Sequence, residues 1–280
     1  MSDRPTRQNT ELEGKAMKTT AFRRNMKEEI LELLEPEEWV LAVWEGGSAA
    51  TGYLDDLSDL DLAMVVRDDS VERAFDILED YLGGTYGISS RMRMPEPAWH
   101  GHSQCFYFIN DAPELFYIDL LVEKESSGNR LLEPERHGTP VIWLDRSGIL
   151  RACRATGEEL GDKRRRFFES LSAFLPLIAT EVRKQIERGK RIDAVTQHQR
   201  FVAGRLAGLL NLKYRPARFD FGIRYAERAY PEEVNRRLEE LLYIPGFQEV
   251  GPAFQRAYSW ALALLEELSE NEGWSGGRSG

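Results

Sequence analysis

The sequence predicts an α/β (α+β) domain with a mixed β-sheet, followed by an all-α domain built as a helical bundle. Residues 19–150 alternate short apolar runs of strand length with amphipathic stretches, and residues 151–270 show helical periodicity almost throughout. Strands mixed with helices and then helices alone are typical of two successive domains. The polar residues 1–18 predict a disordered tail, and the Gly/Ser-rich residues 271–280 predict a flexible tail.

The composition suits a folded protein with a buried core. Of the 280 residues, 42% are hydrophobic and 30% are charged, which argues against a wholly disordered chain. No apolar stretch approaches the ~18 residues of a membrane span, and the polar N-terminus lacks the apolar region of a secretory signal. Cys105 and Cys153 provide no disulfide framework. We therefore expect a cytoplasmic protein without a membrane partner.

The net charge of −10 is unevenly distributed along the chain. Residues 1–150 carry 15 Lys/Arg and 29 Asp/Glu, a balance of −14, whereas residues 151–280 carry 22 and 18, a balance of +4. The two predicted domains therefore differ in electrostatic character. The lack of a broad basic surface argues against a general nucleic-acid-binding protein.

The elements of the first domain follow from hydrophobic periodicity and turn residues. An amphipathic helix is predicted over residues 20–34, and a second over residues 71–82, with Ser70 as its cap and Gly83-Gly84 at its end. Apolar, β-branched and aromatic runs predict strands at 39–44, 60–66, 105–109, 115–122 and 141–144.

Four apolar stripes at helical spacing predict the second domain. These stripes begin at Leu171, Val195, Val234 and Phe254. Pro176 lies inside the first stripe and is expected to kink or divide that helix. Pro231 suits the first turn of the third helix, where proline costs no hydrogen bond.

Three carboxylates stand on apolar strands of the first domain. Side chains alternate between the faces of a strand, so Asp59 and Asp61 point the same way. Adjacent like charges repel unless a positive charge lies between them, and Mg²⁺ prefers oxygen ligands. Asp119 interrupts the most apolar strand, where an ionised group is costly without a partner. If the two strands are neighbours, the three carboxylates converge and can hold two metal ions.

A glycine-rich turn follows the first predicted strand. Gly46 and Gly47 let backbone N–H groups approach a phosphate, and the N-terminus of a short helix beyond them favours an anion. Ser48 adds a hydroxyl donor and is expected to cap that helix. The turn is therefore a candidate phosphate-binding element.

The order of these motifs resembles that of nucleotidyltransferases of the DNA polymerase β-like superfamily. Their pattern is an apolar strand, Gly-Gly or Gly-Ser, roughly ten residues, Asp-x-Asp or Asp-x-Glu, and a carboxylate on a later strand. Here Gly47-Ser48 is followed by residues 49–58, then Asp59-Leu60-Asp61, and later Asp119. The resemblance covers residues 20–145. The helical remainder looks like the C-terminal domains of small aminoglycoside and lincosamide nucleotidyltransferases, although no motif matches there.

The resemblance implies Mg²⁺-dependent transfer of a nucleoside monophosphate, AMP from ATP, to a hydroxyl group of a small molecule such as an aminoglycoside-like antibiotic. The residues that it assigns to catalysis and to two Mg²⁺ ions are Asp59, Asp61 and Asp119. The residues that it assigns to the nucleoside triphosphate are Gly46, Gly47 and Ser48. Among the basic residues of the second domain, Lys184 or Lys190 could contact the phosphates as well, while most of this basic run suits a solvated helix face. The helical domain could also supply a homodimer interface.

Two other functions remain open from the sequence. Transfer to a protein or to an RNA end, as in toxin–antitoxin pairs, uses the same three carboxylates. An RNA acceptor needs a basic path, for which the balance of +4 over residues 151–280 gives little support. A non-catalytic nucleotide-binding regulator needs no two-metal site, so the presence of all three carboxylates argues against that function.

The acidic candidates also have structural interpretations. The three carboxylates could lie at a turn, on a solvated edge strand and in a buried ion pair. Asp55 and Asp56 suit a solvated loop better than an accessory cation site. Glu45 directly precedes the glycines, and strand alternation leaves the direction of its side chain open.

The histidines and one aromatic stretch have alternatives of the same kind. His100 and His102 do not match the spacing of a common zinc site, although one of them could lie near the carboxylates. His198 lies on an apolar stripe and suits a hydrogen-bonded core histidine. Residues 214–221 could line an acceptor pocket, but their aromatic side chains favour a helix–helix corner.

Overall fold

The computed structural model describes residues 7–96, 98–128, 130–146, 148–151 and 157–274, and for residues 7–18 it describes the backbone alone. The chain forms two compact units, unit 1 (Met1–Arg154) and unit 2 (Ala155–Gly280). The predicted boundary at residue 150 lies close to this division. Cys105 is a buried free cysteine, and Cys153 lies outside the described residues.

Unit 1 contains a mixed six-stranded sheet, as the predicted fold class requires. Its strands are β1 (Val40–Glu45), β2 (Leu60–Val66), β3 (Ile88–Arg93), β4 (Ser103–Ile109), β5 (Ile118–Lys124) and β6 (Val141–Asp145). The order across the sheet is β3-β4-β5-β2-β1-β6. Strands β2 and β5 pair in parallel, and the other neighbouring pairs are antiparallel. The parallel pair therefore lies in the middle of the sheet, where two segments that are distant in sequence meet.

The two long helices of unit 1, α1 (Arg7–Leu34) and α3 (Val71–Thr85), bury one face of this sheet. The two short helices, α2 (Gly47–Thr51) and α4 (Pro134–His137), contain no buried residues. The main core joins apolar residues of α1 and α3 to alternate residues of the central strands, among them Met26, Ile30, Phe75, Leu78, Leu60, Leu62, Ile118 and Leu120. A smaller apolar cluster, which includes Trp44, Ala63 and Val65, lies among the residues of opposite alternation. Asp61 and Asp119 share that second face because they alternate with the main core.

Helix α1 begins earlier than the sequence predicts. It starts at Arg7, so residues 7–18 are helical where a disordered tail was expected. This stretch is rich in Glu, Lys, Leu, Ala and Met, which are strong helix formers, and its polarity conceals that propensity. Residues 1–6 of the predicted tail, and residues 275–280 of the other tail, lie outside the described residues.

Helix α3 continues past Gly83-Gly84, where the sequence analysis ends it, and stops at Thr85. The residue that terminates it is Gly87, which has a positive φ of 74°. The backbone N–H groups of Tyr86 and Gly87 both donate to the Leu82 carbonyl. A left-handed glycine just beyond the last turn is the usual helix stop, whereas glycine with helical φ merely weakens a helix.

Strand β5 begins at Ile118 rather than at residue 115. Leu115 has a φ of 71°, a left-handed conformation that no strand contains. The Phe116 N–H donates to the Pro113 carbonyl over 3.1 Å, which extends the turn that follows β4. The apolar residues 115–117 therefore belong to a turn that enters the strand.

Unit 2 is helical in all its regular elements among residues 157–274. These elements are α5 (Gly157–Glu187), α6 (Arg191–Arg200), a π-helical segment (Phe201–Leu206), α7 (Ala207–Tyr214), a 3₁₀ turn (Pro216–Arg218), α8 (Ala226–Ala229), α9 (Glu232–Leu242) and α10 (Phe247–Glu272). Their buried residues form one apolar core. Helix α5 runs through Pro176 without division, and Pro176 lies on its exposed side. Pro231 is the N-cap of α9 rather than a first-turn residue.

None of the described helices has a stretch long and apolar enough to cross a lipid bilayer.

Candidate active site

The central parallel pair brings two of the predicted carboxylates together. In the register of β2 and β5, Asp61 lies directly opposite Asp119. Both side chains are partly buried, while Leu60, Leu62 and Ile118 beside them are buried in the main core. Adjacent residues of neighbouring strands that point to the same face have their side chains in contact range. The predicted convergence of these two carboxylates on one face of the sheet is therefore present in the fold.

Asp59 lies one residue before β2, at the same end of the sheet. The Leu60 N–H donates to the Tyr117 carbonyl over 3.1 Å, which extends the pairing of the two strands toward Asp59. The Tyr117 hydroxyl donates to the Asp59 carboxylate, and burial together with this bond raises the pKa of Tyr117. The charge of Asp59 acts on both Asp61 and Asp119, so the three groups form one electrostatic cluster.

The glycine-rich turn packs directly on Asp61. The Gly46 N–H donates to the Asp61 carbonyl over 2.9 Å, and the Ser48 N–H donates to the Asp61 carboxylate. Gly47 has a φ of 50°, and a Cβ at this position would overlap the Asp61 Oδ2 atom. Only glycine allows this approach of backbone to carboxylate. The turn and the carboxylates therefore belong to one site.

Ser48 does not cap the short helix as the sequence analysis predicts. The N-cap of α2 is Gly46, and Ser48 lies inside the helix because the chain turns at the first glycine. The Ser48 Oγ atom is buried and has no hydrogen-bond partner among the described residues. A buried hydroxyl without a partner costs free energy unless a ligand satisfies it.

Asp61 and Asp119 hold their protons more tightly than ordinary aspartates. Burial, followed by the charges of Asp59 and Asp119, raises the pKa of Asp61 to about 7. Burial also raises the pKa of Asp119, against the opposing effect of a hydrogen bond from Gln104. The site therefore carries more negative charge than its surroundings stabilise, and a bound cation would restore the ionised forms.

The three carboxylates fit Mg²⁺ in ligand type and in the face that they share. Each one is engaged by a different partner, Asp59 by Tyr117, Asp61 by the Ser48 N–H and Asp119 by Gln104. Within the described part of the chain, no group of three or more His, Cys, Asp or Glu side chains is already placed around one ion position. Metal binding would use the carboxylate oxygens that these partners leave free.

A buried arginine joins the two halves of the site, and the sequence analysis missed it. Arg23 of α1 forms an ion pair with Glu45, the last residue of β1, and both side chains are buried. The same guanidinium donates to the carbonyls of Ser58, over 2.9 Å, and of Asp59. Arg23 thereby links the end of β1, where the glycine turn begins, with the start of β2. Its position in the apolar stripe of α1, three residues before Met26, is the sequence signal that could have identified it.

Gln104 of β4 is a second residue that the sequence analysis missed. Its Nε2 donates to Asp119 Oδ1 over 2.7 Å, and its Oε1 lies 3.1 Å from His100 Nε2. The contact between His100 and Gln104 supports the interpretation that a histidine lies near the carboxylates. Strand alternation could have placed Gln104 on the face of Phe106, which is opposite Asp119 in the register of β4 and β5.

The remaining acidic and histidine candidates have structural partners. Asp55 lies in an exposed turn, where its Oδ1 accepts hydrogen bonds from the Leu57 N–H and the Ser58 hydroxyl. His102 stacks on His100 with 5.4 Å between ring centroids, and its Nε2 lies 3.8 Å from the buried Glu123. His198 is fully buried, with its Nε2 2.6 Å from the Leu241 carbonyl oxygen, as expected of a core histidine.

The candidate residues of unit 2 lie partly in its core and partly on its surface. Phe219 is buried against Phe167, with ring centroids 5.0 Å apart, which supports the helix–helix corner interpretation of residues 214–221. Lys184 is exposed and forms an ion pair with Glu181 over 2.7 Å, and Lys190 is the exposed N-cap of α6. The contact of these lysines with phosphates stays a prediction.

Two solved structures are similar to this chain. One is an aminoglycoside 6-adenyltransferase from Bacillus subtilis, with 13% identity, 89% of this chain and 90% of that chain covered, and a TM-score of 0.27. The other is a nucleotidyltransferase-like protein from Exiguobacterium sibiricum, with 16% identity, coverage of 89% and 75%, and a TM-score of 0.35. No protein-family profile and no curated protein matches the chain. Because both TM-scores are low, the function must be argued from the carboxylates and the glycine turn.

Proposed function

We propose that this protein is a Mg²⁺-dependent nucleotidyltransferase that moves a nucleoside monophosphate, AMP from ATP, to a hydroxyl group of a small molecule. One observation carries the proposal. Asp61 and Asp119 lie directly opposite each other on a parallel strand pair, and the backbone of Gly47-Ser48 packs against Asp61. A carboxylate cluster beside a phosphate-binding turn is what two-metal phosphoryl transfer needs.

The roles of the residues follow from their chemistry. Asp59, Asp61 and Asp119 would hold the ions. Bound Mg²⁺ would neutralise charge on the triphosphate and favour ionisation of the acceptor hydroxyl. The Ser48 hydroxyl, which lacks a partner among the described residues, would donate to a phosphate oxygen. Gly47 keeps the turn close enough to the carboxylates for both groups to reach the same phosphate chain.

The proposed reaction is a displacement at phosphorus. The acceptor oxygen forms a bond to the α-phosphorus of the triphosphate. The bond between that phosphorus and the oxygen that bridges it to the β-phosphorus breaks, and pyrophosphate leaves. The hydroxyl proton passes to a base. Asp119, whose carboxylate lies on the same face of the sheet as Asp61, is the proposed base.

The acceptor class is proposed from charge. Residues 1–150 carry a balance of −14, which attracts a polycationic molecule toward the carboxylates. An aminoglycoside-like antibiotic combines several ammonium groups with many hydroxyls and therefore fits both requirements. The chemistry proposed for the three aspartates does not depend on this choice.

The decisive experiment measures pyrophosphate release and acceptor mass together. The protein is incubated with Mg²⁺, each labelled nucleoside triphosphate and panels of aminoglycosides, other small alcohols, RNA and protein. We expect the mass of a small molecule to increase by one nucleotide. Asp59→Asn and Asp119→Asn should each lower the rate by about 100-fold or more, because a neutral amide cannot replace the charge that is removed. Asp80→Asn, an exposed site on α3, is the matched control and should keep the full rate.

Two results would contradict the proposal at different levels. Pyrophosphate release that is equal in the wild type and in Asp59→Asn would exclude catalysis by these carboxylates. Transfer of the label to RNA or to protein would keep the chemistry and exclude the small-molecule acceptor.

A further inference from the structure

We propose that Gln104 is a positioning residue that fixes the orientation of the Asp119 carboxylate, through a chain of hydrogen bonds that begins at a backbone N–H. The chain runs from the His102 N–H to His100, from His100 to Gln104 and from Gln104 to Asp119. The inference rests on the proposed function, because it explains how Asp119 is held ready for a cation.

The three contacts form a continuous path across the edge of the site. The His102 N–H donates to His100 Nδ1 over 3.2 Å. His100 Nε2 and Gln104 Oε1 are 3.1 Å apart, and Gln104 Nε2 lies 2.7 Å from Asp119 Oδ1. All three distances are those of ordinary or short hydrogen bonds.

The first contact determines the direction of the others. A backbone N–H can only donate, so His100 Nδ1 must be the accepting, unprotonated nitrogen. Neutral imidazole then carries its proton on Nε2, which donates to Gln104 Oε1. With its carbonyl oxygen engaged, the Gln104 amide must present its NH₂ group to Asp119. The chain thus allows only an accepting oxygen at the Asp119 end.

The two carboxylate oxygens of Asp119 therefore differ in their hydrogen bonding. Oδ1 accepts the Gln104 hydrogen bond, whereas Oδ2 accepts none from the described residues. Because Asp119 lies opposite Asp61 in the sheet register, the oxygen left free is available to a cation shared with Asp61. A ligand oxygen held by an outer hydrogen bond is a common device for tuning metal affinity.

Packing alone does not explain an amide at this position. Gln104 is only partly buried, and the strand neighbours that fill the main core, Cys105 and Tyr107, point to the other face. A leucine would fill the same space without unsatisfied polar atoms. What leucine cannot provide is a donor to Asp119 and an acceptor for His100.

The first test needs no metal and no substrate. Two-dimensional NMR of the ¹⁵N-labelled protein reports the side-chain amide of Gln104, which is assigned as the signal missing from Gln104→Leu. We expect this signal to move in Asp119→Asn and in His100→Phe, and not in Asp80→Asn. A Gln104 amide signal that is the same in all three variants would show that the hydrogen-bond chain is not formed, and would overturn the proposal.

The second test measures the affinity of the full-length protein for Mn²⁺ by titration. Gln104→Leu should weaken Mn²⁺ binding about tenfold or more, as is usual when an outer partner of a metal ligand is removed. Gln104→Asn, which keeps the amide but is one methylene shorter, should weaken it similarly. Gln255→Leu makes the same change at an exposed position of α10 and should leave the affinity unchanged. Thermal melts verify that each variant is folded.

A double-mutant cycle separates positioning from general stability. If His100 acts only through Gln104, the combination of His100→Phe with Gln104→Leu should weaken Mn²⁺ binding no more than Gln104→Leu alone. If the two substitutions reduce Mn²⁺ affinity additively, the proposed hydrogen-bond chain is overturned. A folded Gln104→Leu protein with wild-type Mn²⁺ affinity would overturn it as well. A wild type that binds no Mn²⁺ would instead reject the proposed function, and the NMR result would still decide whether the hydrogen-bond chain exists.

Discussion

At the scale of single residues, the candidate site depends on a close approach that only glycine allows. Gly47 has a φ of 50°, and a Cβ there would overlap the Asp61 carboxylate. Gly52, at the other end of α2, also has a positive φ, 73°, but a Cβ there would meet nothing within 4 Å. The two glycines share backbone strain and differ in steric contact, so they form a matched pair for mutation.

Gly47→Ala should weaken both the fold and metal binding, whereas Gly52→Ala should weaken only the fold. Alanine at a positive φ costs about 1 kcal/mol or more in each case. In Gly47→Ala the new methyl group also displaces the Asp61 carboxylate, so we expect Mn²⁺ affinity to fall at least tenfold. Urea denaturation measures the first effect and Mn²⁺ titration the second. Equal Mn²⁺ affinities in the two variants would contradict this account of Gly47.

At the scale of elements, a buried ion pair connects α1, β1 and the start of β2. Arg23 binds Glu45 and the carbonyls of Ser58 and Asp59, while burial raises the pKa of Glu45 against the opposing charge of Arg23. A buried pair of this kind contributes little net stability, but the loss of one member is costly. Its effect here is to hold the glycine turn and the Asp59 backbone in a fixed relation.

Arg23→Met should lower the free energy of unfolding by about 3–5 kcal/mol, because it leaves the Glu45 carboxylate buried without its partner. Arg23→Met combined with Glu45→Gln should recover part of that loss. Arg24→Met, at the exposed neighbouring position, is the control and should change stability by less than about 0.5 kcal/mol. Urea denaturation measures these three variants, Glu45→Gln alone and the wild type. Independent, additive effects of the Arg23 and Glu45 substitutions would contradict the pairing.

Elements were predictable from the sequence to the extent that local pattern determines them. Strand β2 spans the predicted residues 60–66, because its apolar run has the length of a buried strand and polar residues flank it on both sides. The start of β5 was not predictable, since residues 115–117 are as apolar as the strand itself. They lie outside β5 because Leu115 adopts a positive φ. The roles of Arg23 and Gln104 also escaped, because each depends on a partner 15 or more residues away.

At the scale of the whole molecule, buried carboxyl groups make the stability of the metal-free protein depend on pH. Burial raises the pKa of Asp61 and of Glu123 to about 7. A carboxyl group whose pKa is raised by folding stabilises the fold fully at low pH, and this contribution is lost as the pH rises from about 4 to about 7. These two groups should therefore make the metal-free protein melt at a lower temperature at pH 7.5 than at pH 5.5.

Mg²⁺ should raise the melting temperature more at pH 8 than at pH 5.5. Below its pKa of about 7, Asp61 is mostly protonated in the metal-free protein, so a cation must displace that proton and its apparent affinity falls. Above that pKa the carboxylate is ionised and the same cation also relieves its repulsion with Asp59 and Asp119. Thermal melts with and without Mg²⁺ at both pH values test this, with Glu123→Gln as the variant that should flatten the metal-free profile and leave the Mg²⁺ effect intact. A Mg²⁺ shift of equal size at the two pH values would exclude Asp61 as a ligand.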